Sequence, residues 1–450
     1  MLNKKKFLPV RRAVQDRGFL YPDFKNSVRK FLILIGRFYL KYVEGLSKVS
    51  FINEERIIEA MHKFSNKEER LIFVFRHAAK EDPPLLMYSF LNPLRKKIER
   101  NGGISHLRVL YGRDVPNWAG PITEWLFPKI GAVPVQAHNG NKEALSILRK
   151  EMKDGPFPLA LAPEEQVVYH MYNCFDIAQG ISSLVNWGLD SGKPVRIVPL
   201  GMGYRYGNNP EKFIKEKLFE WEKKTGIILE KEEKGKLHPL LCQAAEKTIS
   251  LLEPLCGILP PENKNTSSPE EIEKRIRKLC KTLLTEAEKE AKIIKQGSDS
   301  DRLFKIRYSG HEAFYTEENP TLCPSFKRAL LDFSALKAEV YIRYERIVDV
   351  LEYIHMSYIT PPFSAGRGCE FILNLLDVIN RASGGEISER STPSGTEAVL
   401  IAGEPIIYSD NSKKGLGRRD FIEKVRTDVK ESFIKTSKEL EQKWEIVKLE

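Results

Sequence analysis

The chain has 450 residues, which is long enough for two or three domains. Hydrophobic residues make up 42% of it and charged residues 30%, which excludes a fibrous repeat and a wholly disordered chain. The net charge is +11, and +9 of that falls on residues 1–50. A nucleic-acid binder usually carries its basic residues along a groove or face of its fold. We therefore predict no nucleic-acid partner and relate the charge to where an N-terminal arm docks.

The first predicted element is a helix over residues 27–45, within this basic arm. Its apolar positions recur at helical spacing, and they are Val28, Leu32, Ile35, Tyr39 and Tyr42. Lys30, Arg37 and Lys41 are predicted on the opposite face, and Phe31, Phe38 and Val43 widen the apolar one. Two interpretations stay open. The helix lies in a membrane interface with its basic face toward anionic headgroups, or it packs on the protein's own core.

Residues 70–207 alternate strand-like and helical runs. The strands are predicted over 71–75, 106–111, 159–162 and 195–204, and the helices over 83–100, 141–153 and 177–191. Alternation of this kind is typical of an α/β fold. We expect a central, mostly parallel sheet flanked by helices, with the N-terminal amphipathic helix before it.

After residue 207 the pattern becomes largely helical and charged. Helices are predicted within 211–256, 269–296, 324–358, 367–381 and 418–448, and a Pro-, Asn- and Ser-rich linker over 257–268. The chain therefore divides into four predicted parts. They are a membrane-binding arm (1–50), an α/β core (51–210), a charged helical region (211–300) and a mainly helical C-terminal extension (301–450).

The cysteines and the hydropathy pattern exclude several classes of protein. The six cysteines lie far apart, without the spacing of a zinc site or a redox motif. We therefore expect reduced thiols and no metal site. No run reaches the length of about 18 apolar residues that a membrane span needs, and no secretory signal is evident.

A histidine and an aspartate follow the first predicted strand of the core. His77 lies just beyond residues 71–75, and Asp82 comes five residues later, directly before Pro83. Ligands of open α/β sheets bind at the carboxyl ends of the strands. Asp82 is predicted as the N-cap of a helix that starts at Pro83. Its carboxylate can also accept a hydrogen bond from the His77 ring and leave the other ring nitrogen as a general base. A purely structural histidine is the alternative.

Further blocks follow this pair in order. They are Tyr111-Gly112-Arg113-Asp114-Val115-Pro116, Gly131-Ala132-Val133-Pro134-Val135-Gln136, Ala162-Pro163-Glu164-Glu165-Gln166 and Pro194-Val195-Arg196-Ile197-Val198-Pro199-Leu200. Together with the His-x4-Asp motif they resemble the glycerophospholipid acyltransferase family, the lysophosphatidic-acid-acyltransferase-like enzymes. The resemblance covers about residues 60–207, roughly a third of the chain.

The resemblance implies an O-acyltransferase of phospholipid biosynthesis, peripheral at the cytoplasmic face of a membrane. It would transfer a fatty acyl group from acyl-CoA or acyl-carrier protein, as co-substrate and without a cofactor. The acceptor would be the hydroxyl of a glycerol phosphate, a lysophospholipid or a related membrane lipid. His77 would be the general base and Asp82 would orient it.

The chain also departs from the family pattern. Arg76 stands where the family usually has asparagine, Gln136 matches a usual arginine, and the Pro-Glu block has lost its glycine and its arginine. The predicted substrate-binding residues are Arg76, Arg113, Gln136, Pro163, Glu164 and Glu165. A replacement guanidinium for a phosphate is expected from Arg76, Arg113 or Arg205. The alternative function is a catalytically weakened lipid-binding or scaffold protein that interacts through residues 208–450.

Overall fold

The computed structural model describes residues 11–100, 102–136, 141–207, 209–230, 236–259, 267–390, 396–445 and 447–449. The helices are α1 (Asn26–Tyr42), α2 (Glu54–Ser65), α3 (Asp82–Leu91), α4 (Arg95–Glu99), α5 (Val115–Ala119), α6 (Pro121–Lys129), α7 (Lys142–Asp154), α8 (Gly180–Leu189), α9 (Pro210–Thr225), α10 (Leu237–Leu252), α11 (Pro269–Ala291), α12 (Asp299–Phe314), α13 (Ser325–Leu351), α14 (Ala365–Ala382) and α15 (Arg418–Trp444). The strands are β1 (Val14–Gln15), β2 (Leu46–Ile52), β3 (Arg70–Phe75), β4 (Arg108–Gly112), β5 (Val133–Val135), β6 (Leu159–Leu161), β7 (Val195–Tyr204), β8 (Tyr315–Thr316), β9 (Phe363–Ser364), β10 (Thr396–Ala402), β11 (Ile406–Tyr408) and β12 (Lys448–Leu449). Residues 1–10 of the predicted arm and most of the predicted linker over 257–268 lie outside the described residues.

A central sheet of eight strands organises the fold. Its strand order is β2-β10-β7-β3-β6-β4-β5, and β11 also pairs with β7. The five strands from β7 to β5 are parallel, whereas β10 and β11 run antiparallel to β7 and β10 is parallel to β2. The predicted α/β class with a mostly parallel central sheet and a helical C-terminal region is therefore confirmed.

The central strands are buried on both faces of the sheet. All six residues of β3 and all ten of β7 are buried. Leu71, Phe73 and Phe75 of β3 enter one hydrophobic cluster, and Ile72 and Val74 enter the other. Continuous apolar runs of this kind are typical of parallel strands covered by helices on both sides. The carboxyl end of β3, which precedes His77, is therefore held in the middle of the sheet.

Four strands of the sheet were not predicted. β2 begins inside the predicted arm, β5 lies within the predicted α/β core, and β10 and β11 come from the predicted C-terminal extension. A short apolar run such as that of β10 cannot be distinguished from a helix by periodicity alone, which explains the omission. The four-part division stays a prediction, but the sheet draws strands from three of those parts.

The helix that we predicted over 83–100 is divided into α3 and α4. α3 ends at Leu91, and its C-cap residue Asn92 has φ −122° and ψ −81°, outside the helical region. Pro93 explains the break, because a proline ring disfavours helical backbone at the residue before it and lacks an N–H group to donate.

The N-terminal helix α1 packs on the protein and also leaves apolar side chains in solvent. Leu40 is buried, and Arg29 donates to the Ser105 carbonyl and pairs with Glu99. The outward side chains are Phe31, Leu34, Phe38 and Tyr42, together with Lys30, Arg37 and Lys41. The predicted separation of an apolar from a basic face was therefore wrong, because the exposed side carries both kinds of residue. Among the described helices, none is long and apolar enough to cross a membrane.

Candidate active site

The His77 ring and the Asp82 carboxylate lie in hydrogen-bond contact beyond the end of β3. The distance from Nδ1 of His77 to Oδ2 of Asp82 is 3.1 Å. The Asp82 side chain is fully buried, and the His77 side chain is 19% exposed. Because an ionised carboxylate only accepts, Nδ1 carries the proton, and Nε2 of the neutral ring is left with a lone pair. No residue in the described ranges forms a hydrogen bond with Nε2, so the predicted hydrogen bond holds one nitrogen and leaves the other available.

Asp82 occupies a different helix position from the one that we predicted. The N-cap of α3 is Glu81, and Asp82 is the first helical residue. The Glu81 side chain makes no capping hydrogen bond. A capping side chain accepts from the N–H groups two or three positions on, and after Glu81 these positions are Pro83 and Pro84, which have none. Oδ2 of Asp82 instead turns back to accept from the Ala79 N–H at 2.8 Å, and Oδ1 accepts from the Tyr204 hydroxyl.

Tyr204 is a member of this site that the sequence analysis missed. It is the last residue of β7, the strand beside β3, and its side chain is buried. The sequence shows only that a tyrosine is the last residue of an apolar strand. Its contact with Asp82 could be inferred only once β3 was known to be the neighbour of that strand.

The other predicted positions lie along the same edge of the sheet. Arg113 follows β4, Gln136 follows β5, and the Pro-Glu block follows β6. Because β3, β6, β4 and β5 are parallel neighbours, their carboxyl ends meet at one edge. Gln136 is half-buried at that edge.

Arg76 and Glu164 bind each other inside the protein. Nε of Arg76 lies 3.1 Å from Oε2 of Glu164, and both side chains are buried. The remaining donors reach the Ser437 hydroxyl at 3.1 Å and the His170 carbonyl at 3.1 Å, as well as the Asn173 carbonyl. Burial lowers the pKa of Arg76, but the charge and hydrogen bond of Glu164, together with the nearby Cys174 and Tyr358, outweigh it, so the pKa is raised overall. The prediction that these two residues bind substrate does not fit this geometry, since their polar groups are turned away from solvent.

The two other predicted guanidinium groups differ in their surroundings. Arg205 pairs with Glu397 at 2.9 Å and lies over the Trp444 ring, 4.1 Å from its centre. Arg113 is half-exposed and makes an ion pair with Asp16 at 3.2 Å. Of the three candidates, Arg113 fits an anion site at this edge best.

The Pro-Glu block forms a tight turn in which Glu165 has a left-handed backbone. Its φ is +63°, and its N–H donates to the Ala162 carbonyl at 3.1 Å. Pro163 is buried and Glu165 is exposed. The resembled family has glycine at this position, which is the residue that adopts such a conformation without strain. The turn is therefore kept although its glycine is lost.

We expect the substitution Glu165→Gly to stabilise the protein by up to about 1 kcal/mol. A left-handed non-glycine residue costs roughly 1–2 kcal/mol, which the greater entropy of unfolded glycine offsets in part. Thermal unfolding measures the change, and Glu165→Ala, which keeps a Cβ atom, is the control. A glycine variant that melts at or below the alanine variant would contradict the expectation.

The C-terminal region holds the loop that follows this turn. Gln166 donates to Glu352 at 3.2 Å, the Met171 N–H to Glu370 at 2.9 Å, and the Tyr172 hydroxyl to Glu445 at 2.6 Å. Burial raises the pKa of Glu370 to about 8. These contacts join residues about 180 to 270 positions apart, so no local sequence signal indicated them. Parts of the predicted extension therefore anchor the loop that follows the turn.

Comparisons with known proteins do not assign the chain to a family. No family model matches the chain, and no curated protein matches it in sequence. Within the described ranges, no group of His, Cys, Asp and Glu side chains is placed to hold a metal ion.

Proposed function

We propose that the protein is an acyltransferase that moves an acyl group from a thioester to an alcohol. The observation that carries the proposal is the His77 ring at the carboxyl edge of a parallel sheet, held through Nδ1 by a buried carboxylate. Among the described residues, none bonds to its Nε2. A base oriented in this way has one nitrogen available for a substrate proton. The sequence blocks at the ends of β4, β5 and β6 support the same reaction through their resemblance to glycerolipid acyltransferases.

The chemistry needs His77 first as a base and then as an acid. Nε2 takes the proton of the acceptor hydroxyl while the hydroxyl oxygen attacks the thioester carbonyl. The buried Asp82 charge stabilises the imidazolium that results. When the carbon–sulfur bond breaks, the same proton passes to the leaving thiolate, so an ester and a free thiol are the products. A base placed like this accounts for roughly 10²–10⁴-fold of the rate.

A phosphorylated acceptor is the substrate class that the site supports best. Arg113 is the candidate guanidinium, because its half-exposed side chain can exchange the Asp16 carboxylate for a phosphate. Such an exchange costs little free energy because a partly exposed ion pair contributes little stability.

The test is release of free thiol from acyl-CoA or acyl-carrier protein in the presence of an acceptor panel. The panel contains glycerol 3-phosphate, lysophosphatidic acid, other lysophospholipids and alcohols without phosphate. We expect thiol release that requires an acceptor and is fastest with a phosphorylated one. Release at an equal rate without any acceptor would indicate a thioesterase instead, and no release would contradict the proposal.

Membrane contact is proposed through the outward side of α1. Phe31, Leu34 and Phe38 are exposed there beside basic residues, an arrangement that suits insertion between anionic headgroups. This places the helix on the protein and at the lipid surface at once.

We expect the double variant Leu34→Asp/Phe38→Asp to bind anionic vesicles at least tenfold more weakly, because two apolar side chains lose their burial in lipid. Co-flotation with vesicles measures the binding. Ile228→Asp is the control, since Ile228 is 83% exposed and Leu34 is 81% exposed. Equal flotation of the double variant and the control would contradict the proposed membrane contact.

A further inference from the structure

The Asp82 carboxylate is buried, and its oxygens are held by hydrogen bonds. Its hydrogen-bond donors are the Ala79 N–H, Nδ1 of His77 and the Tyr204 hydroxyl. No lysine or arginine in the described ranges forms an ion pair with it. Burying a carboxylate is costly unless hydrogen bonds satisfy its oxygens, so each donor matters to the charge. Two donors reach Oδ2, and Tyr204 is the one donor that reaches Oδ1 among the described residues.

The backbone of Tyr204 is held in place by the sheet. Residue 204 pairs with Ala398 of β10, and its backbone N–H lies 3.1 Å from the Met171 sulfur. Burial and the Asp82 charge keep the phenol protonated, since its pKa is well above the ordinary value. The hydroxyl therefore keeps its proton near neutral pH and can donate it to Asp82.

We propose that Tyr204 is a positioning residue for His77, which fixes the rotation of the Asp82 carboxylate so that Oδ2 faces Nδ1. Without the hydroxyl, no described donor holds Oδ1, whereas Oδ2 keeps its contacts with His77 and Ala79. The carboxylate therefore stays beside the His77 ring, but its orientation is less restricted. The proposal rests on the proposed acyl transfer for its kinetic consequence only, because the hydrogen bonds concern His77 whether or not a substrate is bound.

The direction in which removal of the hydroxyl moves the titration of His77 can be predicted. The phenol withdraws negative charge from Asp82, so Tyr204→Phe leaves a carboxylate that attracts the imidazolium more strongly. His77 then takes up its proton at higher pH, and the acidic limb of the rate profile moves to higher pH. We also expect kcat/KM to fall by about 10- to 100-fold, because the base is less well oriented. The variant keeps the neighbouring ionisable residues, which include Glu44, Lys80, Glu81, Tyr206, Cys369, Glu370 and Arg390. Burial raises the pKa of Glu81 to about 7 and that of Glu370 to about 8, so both groups titrate in the wild type and the variants alike.

A matched control exists on the same sheet. Tyr408 of β11 is buried, lies opposite the first residue of β7, and donates to Asp428 at 2.8 Å. Tyr408→Phe therefore deletes a tyrosine–carboxylate hydrogen bond at the other end of β7. A merely structural contribution of Tyr204 would lower stability in both variants and leave both pH profiles alone.

The experiment follows the pH titration of the His77 ring by NMR in the wild type, Tyr204→Phe and Tyr408→Phe, beside their pH–rate profiles. His77→Ala assigns the signal. We expect the His77 titration to move to higher pH in Tyr204→Phe only, and an unchanged titration would overturn the proposal. If no variant makes an ester but the titration moves, the proposed function fails and the positioning stands. Should Tyr204→Phe not fold, 3-fluorotyrosine at position 204 strengthens the donor. It must then shift the titration to lower pH, and no shift would overturn the proposal.

Discussion

Replacing His77 with alanine is expected to lower the rate of acyl transfer by about 10²–10⁴-fold while the protein stays folded. The loss follows from the proposed role of Nε2 of His77 as the proton acceptor, since Asp82 is buried and already accepts three hydrogen bonds. Two of those bonds remain in the variant, so the carboxylate is still largely satisfied. Steady-state release of free thiol from the acyl donor measures the rate.

His62→Ala is the control for the loss of a histidine. His62 lies on α2, and its ring nitrogen contacts the Lys97 carbonyl at 3.2 Å, away from the strand ends of the site. We expect its activity to remain within about twofold of the wild type, as is usual for a surface substitution. Equal rates in His77→Ala, His62→Ala and the wild type would remove His77 from the mechanism.

The second large effect concerns stability. We expect Arg76→Met to destabilise the protein by about 3–5 kcal/mol, because it leaves the Glu164 carboxylate buried without its cation. The double variant Arg76→Met/Glu164→Gln should recover part of that loss, since no buried charge is then unpaired. The melting temperature, measured by circular dichroism, ranks the variants by stability.

Arg205→Met tests whether burial is the cause of the destabilisation expected for Arg76→Met. The Arg205–Glu397 pair is 2.9 Å long, but the Arg205 side chain is 40% exposed. Exposed ion pairs contribute about 0–1 kcal/mol, so this variant should melt close to the wild type. If Arg76→Met melts no lower than Arg205→Met, the internal role of Arg76 is wrong and its predicted contact with substrate becomes open again.

The elements that could be predicted were those with a strong local pattern. β7 occupies the predicted range of 195–204, and β3 begins one residue before the predicted 71–75, because long apolar runs mark buried strands. β10 could not be predicted in the same way, since its apolar run is short and lies in the stretch between the helices predicted over 367–381 and 418–448. Its place between β2 and β7 depends on contacts across more than 190 residues.

The candidate site divides in the same manner. The His77–Asp82 hydrogen bond could be predicted, because the two residues lie five positions apart at the end of a strand. The direction of the Arg76 side chain could not be predicted, because a position beside a motif does not determine which way a side chain points. Its partners Glu164 and Ser437 are 88 and 361 residues away. Tyr204 was missed for the same reason, since it reaches Asp82 from a neighbouring strand.

The most direct measurement of the central claim is a mass spectrum of the products. Purified wild type and His77→Ala are each incubated with an acyl donor that carries an isotope label in its acyl chain, together with lysophosphatidic acid and glycerol 3-phosphate. The proposed function predicts a labelled oxygen ester of one acceptor, formed by the wild type and absent from the variant. An unlabelled acceptor after reaction with folded, vesicle-bound wild type, or equal ester from both proteins, would contradict it.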